Sequence, residues 1–315
     1  MIRFPLIVII WQCGKSMTGW GRCKKKVSPG ALFLTSRRSA GIGVDLMMSS
    51  CRNIPVCIVA CAVAVAVCHA ESPLADENGL WQIWVNHTNA APDHVAIAQA
   101  CEAFCVKTPA DPLSFVAKGL GAWHLLKADK TNEAARLLEP MAVLSSNALE
   151  KAGAEIARSW LTRIDREMVR VALKRVYLRD VEFPFSLDTI KNLKGVKQPP
   201  ITDRWNQPWS YKPAELPTIK GSYRQRYALE SSRLGSNSDL AQSLAVPYAS
   251  RITIKPVRTM DSGGAVETVE FTLPTQKNAL LMVGTEIDGV TFAFAGKSII
   301  VLSDNDYWQV LQKPR

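Results

Sequence analysis

The sequence lacks the short motifs that mark the commonest enzyme classes. It has four histidines, and none of them stands in the HExxH spacing of a zinc peptidase. It also contains no Gly-x-Ser-x-Gly elbow, no P-loop and no GxGxxG turn, which are the signatures of many serine hydrolases, nucleotide hydrolases and dinucleotide-binding domains. These absences favour a non-catalytic role.

Cysteine is scarce beyond the first 70 residues. Six of the eight cysteines precede Glu71, which leaves Cys101 and Cys105. A CxxxC spacing without further Cys or His is not a metal or haem signature. On one helix the two α-carbons would be about 6 Å apart, which permits a disulfide although the side chains are poorly aimed. We prefer two buried thiols on one helix face, and the bridge stays an alternative.

Acidic residues are scarce in the same N-terminal stretch. Nine of the 38 basic residues but one of the 28 acidic residues precede Glu71, so the net charge of +10 falls to +2 for residues 71–315. A nearly neutral chain lacks the positive surface that binding to a phosphate backbone requires. We therefore expect no nucleic-acid partner.

Residues 47–70 have the three parts of a cleavable signal peptide. Arg52 supplies a basic start, residues 54–68 are uncharged and apolar, and Cys68-His69-Ala70 places small residues at the last and third-last positions before Glu71. The apolar run is shorter than the roughly 20 residues of a membrane-spanning helix. We predict export to the periplasm or the extracellular space, with membrane contact only through an uncleaved signal peptide.

Two alternatives and one expectation accompany the signal peptide. The apolar run could stay as a membrane anchor, and Ile58-Val59-Ala60-Cys61 is similar to a lipobox. Residues 1–46 fit no export design, and we interpret them as an upstream extension of the gene model, disordered if it is made. Translation would then start at Met47 or Met48.

The exported part is predicted to have an α+β fold in three segments. Residues 71–146 show the spacing of short helices, and residues 147–245 begin with one long helix from about Asn147 to Arg179. Residues 246–315 alternate polar and apolar positions between turn sequences, which predicts a small antiparallel β domain. Its Asp304-Asn305-Asp306 is similar to the start of a calcium loop, but a hairpin turn is favoured.

The long helix has an apolar stripe and a charged face. The stripe comprises Leu149, Ala152, Ile156, Trp160, Ile164, Met168 and Val171. The charged face alternates in sign and is predicted to be solvated; it comprises Glu155, Arg158, Arg163, Asp165, Arg166, Arg170 and Lys174. We expect the preceding helical segment to dock on the first half of the stripe.

Three segments after the helix share an order and spacing with a known family. They are Phe183-Pro184-Phe185-Ser186-Leu187, then Asp203-Arg204-Trp205-Asn206-Gln207-Pro208-Trp209-Ser210-Tyr211, then Tyr227-Ala228-Leu229-Glu230-Ser231-Ser232-Arg233-Leu234-Gly235. Residues from about 154 to 240 therefore resemble the soluble C-terminal module of the type II secretion major pseudopilin. The resemblance implies a small β module on the long helix and protein partners in a secretion or pilus-like assembly.

Two family properties transfer incompletely. No prepilin peptidase motif precedes the long helix, and about 75 residues separate it from Glu71, so polymerisation by the family's route is not implied. The family binds calcium in its late loop, where this chain offers one carboxylate, Asp239, although calcium takes six to eight oxygens. Asp239 is thus a weak calcium candidate, and we otherwise expect no cofactor.

The motif residues have structural interpretations of their own. Pro184 ends the helix, Asp203 accepts from backbone amides two residues on, and Asn206 tolerates the left-handed conformation. Trp205 and Tyr211 are expected to pack on the helix stripe. The predicted structural set is Phe183, Pro184, Leu187, Asp203, Trp205, Asn206, Pro208, Tyr211, Tyr227 and Gly235.

These observations predict an exported, non-catalytic envelope protein that acts through protein–protein contacts. No catalytic residue is assigned. The alternative is a periplasmic hydrolase or ligand-binding protein whose site lies between modules. A deep polar cleft would favour the alternative, and an apolar surface would favour the first prediction.

Overall fold

Short helices form the first part of the described chain. The computed structural model describes residues 75–143, 145, 147–195, 198–218, 221–248, 255–260, 268–272 and 279–313, all within one unit, His69–Arg315. The signal peptide and the predicted extension lie outside these residues. Residues 75–143 form α1 (Glu77–His87), α2 (His94–Lys107), α3 (Ser114–Lys127), α4 (Thr131–Leu138) and a 3-10 turn (Glu139–Ala142).

The long helix α5 spans Ala148–Asp180, which confirms its prediction. The side chain of Asn147 accepts a hydrogen bond from the amide of Leu149 at its start, and Val181 ends it in the left-handed conformation (φ 60°). Of the helices that the structure describes, none combines the length and the apolar character needed to cross a bilayer.

The buried face of α5 changes halfway along the helix. The predicted stripe is buried at Leu149, Ala152, Ile156, Trp160 and Ile164. Beyond these residues the predicted stripe is wrong. It includes Val171, which is 53 % exposed, and it omits four residues that are buried: Val169, Ala172, Leu173 and Val176. Different elements cover the two halves, so the buried positions follow the covering element rather than one continuous period.

The prediction of a solvated charged face is also wrong near the middle of α5. Arg163 is 1 % exposed and Asp165 is 4 % exposed. Asp165 accepts from the guanidinium of Arg204, and Arg163 reaches Asp306. Both partners come from segments far along the chain, which a local charge pattern does not reveal.

An antiparallel strand pair covers the second half of α5. It consists of β1 (Ser210–Thr218) and β2 (Gly221–Glu230). Around it lie the 3-10 turns Leu187–Ile190 and Ser236–Ser238 and the short helix α6 (Leu240–Ala245). The small core beneath comprises Val169, Ala172, Leu173, Val176, Ile190, Trp209 and Leu229.

The described C-terminal strands form two antiparallel sheets, as the α+β prediction requires. One has the order β3 (Lys255–Met260), β4 (Thr268–Thr272), β5 (Ala279–Met282). The other has the order β6 (Glu286–Ile287), β7 (Val290–Ala295), β8 (Ile299–Ser303), β9 (Trp308–Gln312). Strand β9 was not predicted. The Asp304-Asn305-Asp306 turn joins β8 to β9, which confirms the hairpin prediction.

The sheet of β6 to β9 lies between the helices and the other sheet. Ile300 and Leu302 of β8 pack toward β4 and β5, whereas Ile299 and Val301 join the core of the helices. All five residues of β8 are therefore buried. The layers are helices, a four-stranded sheet and a three-stranded sheet.

The main core crosses the predicted segment boundaries. Ala152, Ile156 and Trp160 pack with residues of α1 to α4, which confirms docking of the helical segment on α5. Trp308 and Val310 of β9 belong to the same core. The boundaries at 146 and 245 stay predictions, but the shared core argues against a C-terminal β domain that separates from the helices.

Candidate functional site

The three histidines of the described chain form one hydrogen-bonded row. His87 ends α1, His94 begins α2 and His124 lies in the last turn of α3. Nδ1 of His87 is 3.0 Å from Nε2 of His124, and Nδ1 of His94 is 2.8 Å from Nδ1 of His124. His124 is fully buried, His87 is 7 % exposed and His94 is partly exposed. We call these residues the histidine row.

Both hydrogen bonds of the row can form when all three imidazoles are neutral. A neutral imidazole has one N–H donor and one acceptor nitrogen. His124 therefore donates across one gap and accepts across the other, and each outer histidine supplies the complementary group. Each gap then holds one proton.

Aromatic rings enclose the row. The ring centres of His87 and Tyr248 are 4.5 Å apart, and those of His124 and Trp123 are 5.0 Å apart. The Tyr248 hydroxyl accepts from the amide of Trp308, at 2.8 Å. Trp123 Nε1 finds no acceptor among the described residues. The row is thus covered by residues of the helices α1 to α3 and by Tyr248, three residues after the end of α6.

Burial makes the histidines of the row weak bases. It lowers the pKa of His87 to about 4, with His94 adding to the effect. It lowers the pKa of His124 to about 3, and His87, His94 and Lys127 act in the same direction. The pKa of His94 is lowered by burial and by Lys127, against the opposing effect of Asp93. All three are neutral at pH 7.

The row does not have the geometry of a metal site. His124 turns Nε2 to one neighbour and Nδ1 to the other, so the three histidines do not converge on one point. Within the described residues no group of three or more His, Cys, Asp or Glu is arranged to hold a metal ion. The arrangement suits hydrogen bonding between neutral imidazoles.

Sequence reasoning missed the row because it searched for short motifs. The three histidines lie on three helices, and His124 is 37 residues from His87. A usable signal was their position at helix ends beside Trp84 and Trp123, where a helix-packing interface buries aromatic residues.

The predicted turn at Asp203 is built around its carboxylate. One oxygen of Asp203 accepts from the amides of Trp205 and Gln207, and the other accepts from the hydroxyl of Ser231 at 2.7 Å. Asn206 has a φ of 61°, the left-handed conformation. Both carboxylate oxygens are therefore occupied within the fold.

The buried tryptophan of this segment is Trp209, and the core placement expected for Trp205 is wrong. Trp209 is 6 % exposed, and its Nε1 donates to the Pro200 carbonyl at 3.0 Å. Trp205 is partly exposed: its Nε1 donates to Glu155, and the guanidinium of Arg233 lies 5.0 Å from its ring centre. Trp205 projects toward the charged face of α5, whereas Trp209 leads into β1.

The other motif residues lie around the small core. Phe183 stacks on Tyr177 and meets Tyr227 edge-on, each with ring centres 4.6 Å apart. The Tyr211 hydroxyl donates to the carbonyl of Pro184, at 2.7 Å. Leu187 is partly buried against this core, whereas Pro208 pairs with Thr202 and Gly235 has a φ of 54°.

The calcium candidate Asp239 is engaged by a cation of the chain itself. It caps α6 by accepting from the amide of Gln242, and its other oxygen accepts from Nη1 of Arg166 at 2.8 Å. Burial alone would raise the pKa of the Asp239 carboxyl, but these two hydrogen bonds lower it overall. A calcium ion would have to displace Arg166.

The two remaining cysteines are free thiols. Cys101 is buried, and burial raises the pKa of its thiol to about 12. Cys105 is partly buried, and its Sγ lies 3.7 Å from the carbonyl of Ser114. At pH 7 both are protonated and poor nucleophiles.

A small pocket of about 270 Å³ lies between α1 and α2. Its polar lining includes Asn86, Asn89 and Asp93. The volume falls below the range of about 300–1,000 Å³ that is usual for ligand sites.

The chain matches no protein-family model, no curated protein and no solved structure.

Proposed function

We propose that this is an exported, non-catalytic protein of the cell envelope that acts through protein contacts in a secretion or pilus-like assembly. The resemblance of residues 154–240 to a pseudopilin module supports the class of assembly. The observation that carries the proposal is a set of exposed large apolar side chains along the last three turns of α5 and just after its end.

This surface, which we call the α5-end surface, comprises four large apolar side chains within 15 residues. Val171 is 53 %, Leu178 is 70 %, Val181 is 65 % and Phe185 is 71 % exposed. Val171 and Leu178 are seven residues apart, so they lie on the same side of the helix. Single exposed apolar residues are ordinary, but a concentration of them is typical of a contact site.

Basic residues accompany the α5-end surface, and two of them are ion-paired, Arg179 with Asp180 and Arg224 with Glu182. Lys174, Arg175 and Arg179 are exposed on the same two turns of the helix. The guanidinium of Arg224 lies 3.5 Å from the ring centre of Phe185. A partner with an apolar patch and an acidic rim has the complementary chemistry.

The alternative, a hydrolase or a ligand-binding protein, has less support. Its site would need a wet cleft with titratable groups, but the histidine row is enclosed by aromatic rings and the pocket beside Asp93 is small. The carboxylate of Asp203 is fully used within its turn.

In-cell photocrosslinking tests the contact surface. A photoreactive amino acid at Leu178 of the full chain is expected to give a discrete crosslinked species in cells that make the protein. The matched control is Val106 of α2, which is 76 % exposed and lies outside the surface. The double variant Val181→Ser/Phe185→Ser should abolish the species without changing the melting temperature. Equal crosslinking at both positions, or none at Leu178, would contradict the proposal.

Export is tested separately. Mass spectrometry of the mature protein is expected to place its N-terminus at Glu71 or a close neighbour. Recovery of peptides from residues 1–46 in the mature protein would overturn this part of the proposal.

A further inference from the structure

We propose that the histidine row is an acid-sensitive latch that holds α1, α2 and α3 together at neutral pH and releases them when the row takes up protons. This inference is independent of the contact surface and does not rest on it. It rests on the geometry of the row, on its enclosure and on the charges that face it.

The row joins three helices through two long-range contacts. The contact of His87 with His124 connects α1 to α3, and the contact of His94 with His124 connects α2 to α3. Because His87 is the last residue of α1 and His94 the first of α2, the row fastens both sides of the α1–α2 turn to one residue.

The number of ring nitrogens limits how many extra protons the row can take up while it keeps both hydrogen bonds. A first extra proton is compatible with both hydrogen bonds, because the outer histidine that donates to His124 still has an unprotonated second ring nitrogen that can take it. A second extra proton leaves no acceptor in one of the gaps, so two N–H groups face each other across 2.8 or 3.0 Å. Two positive charges would then also repel at that distance, so the doubly protonated row opens.

The surroundings offer little compensation for even one charge. On α1 and α3 the neighbours are the indoles of Trp84 and Trp123. Lys127 of α3 adds a second cation, with its Nζ 5.2 Å from the ring centre of Trp123. From α2 the carboxylate of Asp93 acts on His94, the most exposed member. Tyr248 contributes a neutral phenol, because burial keeps its pKa well above the usual range.

The direction of the pH dependence follows from these contacts. In the open state each histidine titrates near its ordinary pKa of about 6.5, whereas in the closed row protonation is suppressed. The open state therefore binds more protons as the pH falls. The latch contributes fully above about pH 6.5, and its contribution declines as the pH falls toward the lowered values of about 4 and about 3.

Release should be local. The second half of α5 packs with β1 and β2 around its own core, which contains none of the row residues. Opening at the row would expose Trp84 and Trp123 while this core stays folded. This small core therefore serves as an internal reference in a measurement of hydrogen exchange.

Hydrogen exchange of the full chain at pH 7, 6, 5 and 4, corrected for intrinsic rates, tests the latch. We expect peptides from residues 77–127 to lose protection at least tenfold between pH 7 and 4, and peptides from residues 169–180 and 221–230 to keep theirs. His124→Gln, which donates and accepts but does not titrate, should flatten this dependence. Glu102→Gln on the exposed face of α2 is the control. Unchanged protection in the wild type down to pH 4 would overturn the latch, as would a wild-type pH dependence in His124→Gln.

A second measurement decides the matter if His124→Gln does not fold. NMR titration of the wild type follows the imidazole signals directly. Signals of His87 and His124 that stay in the neutral form below pH 5, until the helical signals themselves change, support the latch. Titration of both near pH 6.5 in an otherwise unchanged spectrum overturns it.

Discussion

Trp308 occupies the place where a side chain at Gly119 would begin. A Cβ at position 119 would lie 2.6 Å from Trp308 Nε1, and the indole is fully buried. Gly119→Ala should therefore destabilise the protein by about 1–3 kcal/mol through overpacking, although alanine is the better helix former by about 1 kcal/mol. Urea denaturation measures the change.

A double-mutant cycle isolates this contact. Trp308→Leu removes the ring and should itself be destabilising, because it leaves a cavity in the main core. Combined with Gly119→Ala, it should cost less than the sum of the two single changes. Additive effects would show that the alanine is accommodated without touching the ring.

Glu77 connects α1 to the turn between β7 and β8. Its carboxylate accepts from the amides of Lys297, Ser298 and Ile299, at 2.6–3.1 Å, and from the hydroxyl of Ser298. Burial alone would raise the pKa of this carboxyl, but the hydrogen bonds lower it overall. Its contribution is therefore present above about pH 4.5 and is lost as the pH falls through the lowered pKa.

We expect Glu77→Gln to lose about 1–3 kcal/mol of unfolding free energy at pH 7. The difference from the wild type should shrink between pH 5 and pH 3, as measured by urea denaturation at each pH. Glu102→Gln, an exposed change on α2, should show no such trend. A constant difference across this pH range would contradict the role assigned to the charge.

Substituting each of the two tryptophans near β1 should lower the stability of the protein by a different amount. Trp209→Ala should destabilise the protein by about 3–5 kcal/mol, because it leaves a cavity in the small core. Trp205→Ala should cost clearly less, because Trp205 is partly exposed and its loss leaves Glu155 accessible to water. Chemical denaturation of both variants decides the order, and an equal or reversed order would contradict the placement.

Arg163 and Asp306 form a buried ion pair at 2.9 Å between α5 and the β8–β9 turn. Arg163→Met should cost about 3–5 kcal/mol, because the buried carboxylate of Asp306 keeps the hydroxyl of Ser159 but loses its cationic partner. Adding Asp306→Asn should recover part of this loss in denaturation experiments. The matched control is Arg179→Met in the exposed pair with Asp180, for which no measurable loss is expected. A double variant as unstable as the sum would contradict the pairing.

Local patterns made part of the fold predictable. The long helix could be placed because Asn147 caps it and Pro184 follows its end, with no proline between. The turn at Asp203 could be predicted because its carboxylate accepts from the amides of Trp205 and Gln207, although the bond from Ser231 could not. Neither inference needs a distant partner.

The rest depended on partners that local patterns do not contain. Arg163 is buried because Asp306, 143 residues later, accepts from it. Val171 is exposed because the covering element changes along α5. The histidine row requires the packing of three helices, and strand β9 carries Trp308 into a core that it shares with helices and with Ile299 and Val301 of β8.

The position of Trp308 has a consequence for biosynthesis. The helices that begin at Glu77 cannot complete their core until β9 has been made and has entered it, so folding of the N-terminal half stays incomplete while the residues up to β9 are being synthesised. A nascent chain in this state keeps apolar surface available for chaperones. Contacts that span more than 200 residues, such as that of Glu77 with Ser298, further imply slow final closure, after the local helices and hairpins have formed.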